Sequence, residues 1–331
     1  HQDIAKSLQV VLEDILLQKV RYLHEQVPSK NLCMAGGVAL NCVANGKILR
    51  EGPFENQFVQ PAAGDAGSAL GAAAVAWVRR FDERPAQRDM LHAYLGPSYA
   101  ADDIARTLQS TGVQFDDYRG RESELIQFTA RELAKGKVIG WHQGRMEFGP
   151  RALGARSILA DPRDAQMREK INALVKMREA FRPFAPAVMA EAAGSHFALS
   201  SPSPFMLQTC DVESLLDLPA ITHVDNSARV QTVDAAVNPR FHALLAEFAQ
   251  LTDCPILLNT SFNVRGEPVV CTPLDTIICF VRAKIDFLIL EDFVIRQSDV
   301  PDMWQGRISS MPVVPRKKDA RAIGHAVYTF F

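Results

Sequence analysis

The chain has 331 residues, 47% of them hydrophobic and 22% charged, with a formal net charge of −2. That balance suits one large or two ordinary globular domains and gives no general attraction to nucleic acid or an anionic membrane. No apolar run reaches bilayer length, and the opening HQDIAKSLQVVLEDILL has neither a basic leader nor a small-residue cleavage site, so a cytoplasmic setting is expected.

Ile4, Leu8, Val11, Leu12, Ile15 and Leu16 recur at helical spacing and predict an amphipathic core helix over 3–25. No strand or capping sequence precedes it, so an earlier part of its domain is expected to be missing. A short apolar strand at 32–35 runs into Gly36-Gly37 and a helix from Val38 to about Leu49, which Gly52-Pro53 ends. A second strand at 57–60 leads through AAGDAG into an alanine-rich helix at 68–79. Strand, turn and helix twice over is the grammar of an α/β layer.

Residues 81–91, polar and interrupted by Pro85, read as a linker. Beyond it, helices are expected near 101–110, 123–135 and 164–175, with short strands near 137–142, 184–190, 205–209, 229–233, 255–259 and 287–290. That mixture predicts an α+β or mixed α/β domain. The tail after Val300, with PRKKDAR, reads as a mobile surface end. The expected divisions are 1–85, 92–300 and 301–331. Cys33, Cys42, Cys210, Cys254, Cys271 and Cys279 form no CxxC pair and sit mostly in apolar runs, as buried free thiols do in a reducing compartment.

Five segments carry candidate chemistry. In AGGVALN, Gly36 and Gly37 permit positive φ and a close backbone approach; the helix that follows favours a phosphate at its start, and Asn41, about one turn in, could donate to the same anion. From the glycine pair alone, a tight strand-to-helix turn without a ligand is the favoured reading. Asp65, among small residues, could reach a metal ion unobstructed, but taken alone it reads as the cap of the next helix. GRMEFGPRALGARSILADPR places Arg145, Arg151, Arg156 and Arg163 among glycines and prolines, beside Glu147. Arginine offers a rigid fork for phosphate or carboxylate, and Phe148, Leu153 and Ile158 suggest a packed loop, where cations need partners. KMREAFRPFAP carries Lys176, Arg178 and Arg182, either as a site or as a solvated basic patch. Finally, a buried strand delivers Ser261, Asn263 and Arg265 into a turn at Gly266, and HVDNSARVQTV adds Asp225, Arg229 and Gln231 in a similar setting. Such polar residues after a buried strand either cap a turn or form a nucleotide site at a strand end.

Together, GGVALN followed by GDAGSALGAA resembles the ATP-binding lobe of the actin-like ATPase superfamily, and more narrowly the transferase domain shared by the tRNA threonylcarbamoylation enzymes and the NodU/CmcH-type O-carbamoyltransferases. The order GRMEFGPRALGARSI, KMREAFRPFAP, DNSARVQTV, NTSFNVRGEP resembles the carboxy-terminal, YrdC-like domain of those carbamoyltransferases. The resemblance spans about Ile4 to Arg296. It implies a partial actin-like lobe followed by a YrdC-like α+β domain. Gly36, Gly37 and Asn41 would contact nucleotide phosphates, and Asp65 would be a metal ligand. Lys176 with Arg178, and Ser261 with Asn263, would bind the activated carbamoyl species. The implied chemistry joins carbamoyl phosphate and ATP, with Mg, into carbamoyl adenylate. The carbamoyl group then passes to a hydroxyl of a small specialised metabolite in a lobe holding Fe(II) or another divalent metal. The family's HxxxH pair is absent here, since no two histidines are four apart, so the other half-domain is an expected partner, in the same chain or another. A tRNA-modifying factor and a non-catalytic nucleotide-binding remnant are the alternatives. Four cations, Lys176, Arg178, Arg151 and Arg156, are expected to converge on one anion pocket near Ser261. The partner face of the first lobe is expected to be apolar.

Overall fold

The computed structural model of the chain describes residues 1–84, 89–176 and 184–310. Strands β1 (Asn31–Met34) and β2 (Asn56–Val59) form a small parallel sheet, joined through α2 (Cys42–Glu51). Helix α1 (Gln2–Gln26) precedes them and α3 (Gly67–Phe81) follows. The expected α/β grammar is there, with one local change. Gly36, at φ 95°, opens a short 3-10 turn over Gly37–Leu40, and the true helix starts only after Asn41.

This first region has little interior of its own. Leu17, Val20, Leu32, Ile48 and Phe54 form one small apolar cluster. Helix α1, expected to be a core helix, buries only Leu17 and Val20. Helix α3 buries none of its residues, and Leu70, Val75, Trp77, Val78 and Phe81 are each 41–52% exposed. The expected apolar face is therefore present, on α3 and along Ile4, Leu8, Val11 and Ile15 of α1.

The second region is built on an eight-stranded mixed sheet, in the order β3-β12-β11-β4-β5-β10-β6-β9. The strands are β3 (Asp116–Asp117), β4 (Ile139–His142), β5 (Arg156–Ala160), β6 (Ala185–Met189), β9 (Gln231–Val233), β10 (Ile256–Ser261), β11 (Phe287–Leu290) and β12 (Phe293–Arg296). A separate antiparallel pair, β7 (Cys210–Asp211) with β8 (Ser227–Ala228), lies outside it. Pairs β4–β11 and β6–β9 are parallel and the rest antiparallel. Helices α5 (Glu122–Ala134) and α7 (Pro239–Thr252) pack on each other, and α7 also contacts β6 and β10. Helix α8 (Pro273–Ala283) lies against β11, with α4 (Ala101–Thr111) and α9 (Asp302–Ser310) against α8. Short α6 (Met167–Ile171) runs into a wider helical turn, Asn172–Lys176. The mixed α/β expectation holds.

Several local expectations do not. No strand forms at 205–209, which is turn and extended chain lining the first region. Residues 156–160, expected within an arginine loop, are β5, buried throughout in the centre of the sheet. The start of the expected mobile tail is helix α9, whose Trp304 and Ile308 pack on the main core; PRKKDAR lies outside the described residues. Part of the linker, 85–88, does too. All six cysteines are free, but only Cys210, Cys254 and Cys279 are buried and Cys33 is exposed.

The two regions meet along α2. Buried Asn45 donates to Ala39 O (2.7 Å) and to Leu207 O (2.8 Å), and Arg50 donates to Thr209 O (2.9 Å). Gly46 makes this approach possible, since a Cβ there would lie 2.3 Å from Thr209 O. No helix among the described residues is long and apolar enough to cross a membrane.

Candidate functional site

The loop 144–155 is held from within by Glu147. Its buried Oε1 accepts the N–H groups of Leu153 (2.7 Å), Ala155 (2.7 Å) and Arg156 (3.2 Å). One carboxylate thus organises the turn feeding β5, and hydrogen bonds to a charged acceptor are the stronger kind. Two glycines are required by contact. A Cβ on Gly154 (φ 99°) would sit 2.4 Å from the Phe241 ring, and one on Gly149 (φ 143°) 2.9 Å from Pro61 O of the first region.

The arginines of this loop have different duties. Arg145, exposed, donates to the carbonyls of Gly96 (3.0 Å) and Leu95 (2.8 Å). Arg156 is fully buried. Its Nη1 donates to Gln143, Gly144 and Ala155 carbonyls and its Nη2 to Pro97 and Gly144 carbonyls, at 2.9–3.4 Å. Its fork is therefore spent on holding backbone, which positions the loop, and it does not join the expected convergence. Arg163 pairs with Asp161 at 2.7 Å.

Arg151 makes fewer contacts: its Nη2 reaches Leu40 O of the first region at 3.3 Å, and its buried Nε, like that of Arg156, has no hydrogen-bond partner among the described residues. Burial, and then the nearby positive charge of Arg229, lower its pKa to about 10, while Cys42 acts in the opposite sense. Arg229 also has a buried Nε without a partner among the described residues. The two guanidinium groups lie within electrostatic reach and repel one another, and each leaves a buried Nε without a partner among the described residues. An anion between them removes both penalties, and the guanidinium fork fits phosphate or carboxylate oxygens.

Ser261 ends β10, and its Oγ lies 2.7 Å from Asn263 Oδ1. Asn263 Nδ2 donates to Glu267 O (2.8 Å), and Glu267 pairs with Arg282 of α8. The turn is tied to the wide helical turn by Arg265 N–H donating to Val175 O (3.1 Å), which brings Lys176 beside it in the backbone. The Lys176 side chain, Arg178 and Arg182 lie outside the described residues. Of the four cations expected to converge, Arg156 is spent on backbone carbonyls and Arg151 has Arg229 as its cationic neighbour.

In the first region, Asn41 is the N-cap of α2 rather than a residue one turn in. Its Oδ1 accepts Ala44 N–H (3.0 Å), and its Nδ2 donates to Gln9 Oε1 (2.8 Å). Gly36 and Gly37 are exposed, with open space where a Cβ would be. Asp65 is exposed; Ala66, without a side-chain cap, is the N-cap of α3. No group of three or more His, Cys, Asp or Glu side chains suited to a metal forms among the described residues. The residues present therefore do not fit a divalent metal by themselves.

The sequence reading passed over His223 and Ser227, although both flank Asp225 in HVDNS. His223 Nδ1 lies 3.1 Å from Ser227 Oγ, which is 2.7 Å from Asp225 Oδ1. Arg229, two residues past Ser227, acts electrostatically on His223. The tandem of His, Asp and Ser at alternate positions was the available signal.

The carbamoyltransferase C-terminus family model matches residues 130–297, just over half the chain, and the carbamoyltransferase N-terminus model matches residues 1–74. The chain belongs to the carbamoyltransferase family. Nodulation protein NolO of Bradyrhizobium diazoefficiens is 42% identical over 94% of this chain and 58% of its own length. The 3'-hydroxymethylcephem-O-carbamoyltransferase of Streptomyces clavuligerus is 35% identical over 87% of this chain and 50% of its own length. The chain thus spans about half the length of the curated relatives it matches. Among solved structures, full-length HypF in its phosphate- and nucleotide-bound form matches with a TM-score of 0.38 and 19% identity, over 51% of this chain and 25% of that one.

Proposed function

We propose that this chain carries the carbamoyl-activating part of an ATP-dependent O-carbamoyltransferase acting on a small specialised metabolite. The observation that supports the reading is that Arg151 and Arg229, both half-buried, each keep a buried Nε without a partner among the described residues, inside the family-matched segment. Carbamoyl phosphate brings the anion this pair calls for. One water cleaves it to carbamate and inorganic phosphate. A carbamate oxygen then attacks the α-phosphorus of ATP, forming carbamoyl adenylate and displacing pyrophosphate. The arginines, with Lys176, Arg178 and Arg182, offset charge on the phosphates as the transfer proceeds, and Ser261, Asn263 and Arg265 orient the nucleotide. Mg accompanies ATP as a substrate salt. The S. clavuligerus relative is named for transfer to a hydroxymethylcephem, which supports a hydroxyl acceptor of that size.

Transfer to the acceptor is assigned to the first lobe completed by its other half-domain. Support comes from the uncovered apolar residues of α1 and α3 and from relatives about twice as long. Because Asp65 stands without the rest of a ligand set, no step is routed through a metal here. The test follows pyrophosphate release and carbamoylation of 3'-hydroxymethylcephem side by side, with ATP and carbamoyl phosphate. The expected result is pyrophosphate release without acceptor carbamoylation. Efficient carbamoylation by this chain alone would overturn the two-part reading.

A further inference from the structure

Strands β11 and β12 are joined by only two residues, Glu291 and Asp292. Glu291 takes φ 51°, the left-handed conformation that ordinarily calls for glycine at the first position of so short a hairpin connection. A side chain held there costs backbone energy that other contacts must offset, and such positions gather where a functional segment is fixed.

The contacts of Glu291 all serve the start of the loop 144–155. Its N–H donates to His142 O (2.9 Å), its carbonyl accepts from Gln143 Nε2 (3.0 Å), and its carboxylate Oε1 accepts from Gly144 N–H (2.6 Å). One residue thus grips three in succession where the chain leaves β4. Gly144 is itself left-handed, at φ 55°, so the carboxylate caps a tight turn. Arg240 of α7 braces the grip. Its Nη1 donates to Gln143 Oε1 (2.8 Å) and lies 3.7 Å from Glu291 Oε2, while its Nη2 meets Asp292 at 2.9 Å and its Nε meets Glu122 of α5 at 2.7 Å. Gln143 N–H donates to Ala155 O (2.9 Å) and closes the base of the loop. The loop therefore runs between two carboxylates, Glu291 at its start and Glu147 at its close, with Arg151 in the span between them.

We propose that Glu291 is a positioning residue for Arg151: by fixing the point from which the loop leaves β4, it sets where the Arg151 guanidinium is presented. The inference rests on the reading above in which Arg151 meets the phosphate of carbamoyl phosphate. Glu291 touches no substrate and acts through Gln143 and Gly144. Glycine at 291 would suit the hairpin and leave Gly144 N–H uncapped; the residue present serves the loop at the expense of the hairpin.

The test compares pyrophosphate release from ATP and carbamoyl phosphate by the whole native chain, Glu291→Gln, Glu291→Gly and Glu291→Ala, with urea unfolding of each. Glutamine keeps an acceptor for Gly144, although a neutral one, and should hold the KM for carbamoyl phosphate within about threefold of native. Glycine and alanine both remove the acceptor and should raise that KM about tenfold or more, since displacements of about 1 Å suffice for such losses, while the KM for ATP moves much less. Stability should rank differently. Glycine relieves the left-handed backbone and alanine does not, so Glu291→Gly should unfold at higher urea than Glu291→Ala. A KM that merely follows the unfolding midpoint across the three variants, or a native KM in Glu291→Gly, would overturn this inference and leave the role of Arg151 standing. No pyrophosphate release from the native chain would overturn the activation reading and this inference with it.

Discussion

The first and second regions of the chain are built from the same kinds of residue and reach different ends. Helix α7, in the second region, presents Phe241, Leu244, Leu245 and Phe248 at helical spacing and buries all four against α5 and the sheet. Helix α3, in the first, is at least as apolar and buries nothing. An apolar stripe thus dictates that a helix will form and that a face must be covered, but not that the cover lies in the same stretch of chain. The second region contains its own cover and its own charged loop, whereas the first supplies two layers of a domain and an apolar face.

Substitutions that remove packing should separate the regions most sharply. Arg156→Ala leaves five backbone contacts unmade in a fully buried site. A loss of about 3–5 kcal/mol is expected, as when one member of a buried polar network is removed. Urea unfolding checks it; a loss below 1 kcal/mol would mean that the loop does not depend on that fork. Gly140→Ala on β4 places a Cβ 2.5 Å from the buried ring of Phe262, and overpacking of that kind costs about 1–3 kcal/mol, readable in the same experiment.

A pH effect should also belong to the second region. His142 on β4 is fully buried, with Nδ1 2.7 Å from Thr276 Oγ1, and burial followed by Arg156 pushes its pKa down to about 2. The unfolded chain binds the proton more readily. Stability from the neutral ring is therefore complete above the unfolded value near 6.5 and is lost as pH falls from there towards about 2. The slope is at most about 1.4 kcal/mol per pH unit. Unfolding midpoints between pH 7 and pH 4 should follow this trend, and His142→Phe should flatten it. The smallest effect is expected in the first region: Val75→Gln with Trp77→Gln on α3 should change stability by about 0.5 kcal/mol or less while reducing self-association in sedimentation. A large destabilisation would show that α3 is already covered.

The repeated strand–turn–helix units were legible because Gly36-Gly37, Gly52-Pro53 and the alanine-rich run punctuate them clearly. Less visible was β5, since Arg156 and the glycines before it read as loop; only the sheet shows that a buried arginine can sit in a central strand when carbonyls surround its fork. Helix α7, outside the expected elements, carries its signal in Asn238-Pro239 at its start and in its apolar spacing. At the site, residue types alone could not separate Arg151 from Arg156. Which arginine meets carbonyls and which meets another arginine is decided by tertiary placement. Asn41 is the same lesson in the first region, because the 3-10 turn before it converts an expected phosphate donor into a helix cap.

The most direct measurement of the central claim is pyrophosphate release by the whole chain, with ATP and carbamoyl phosphate together and with each alone, compared between the native sequence and Arg151→Gln with Arg229→Gln. Release that needs both substrates and falls at least about 100-fold in the double variant is predicted, as for loss of preorganised charge worth several kcal/mol. No release from the native chain, or release undiminished in the double variant, would contradict the assignment of carbamoyl activation to this pocket.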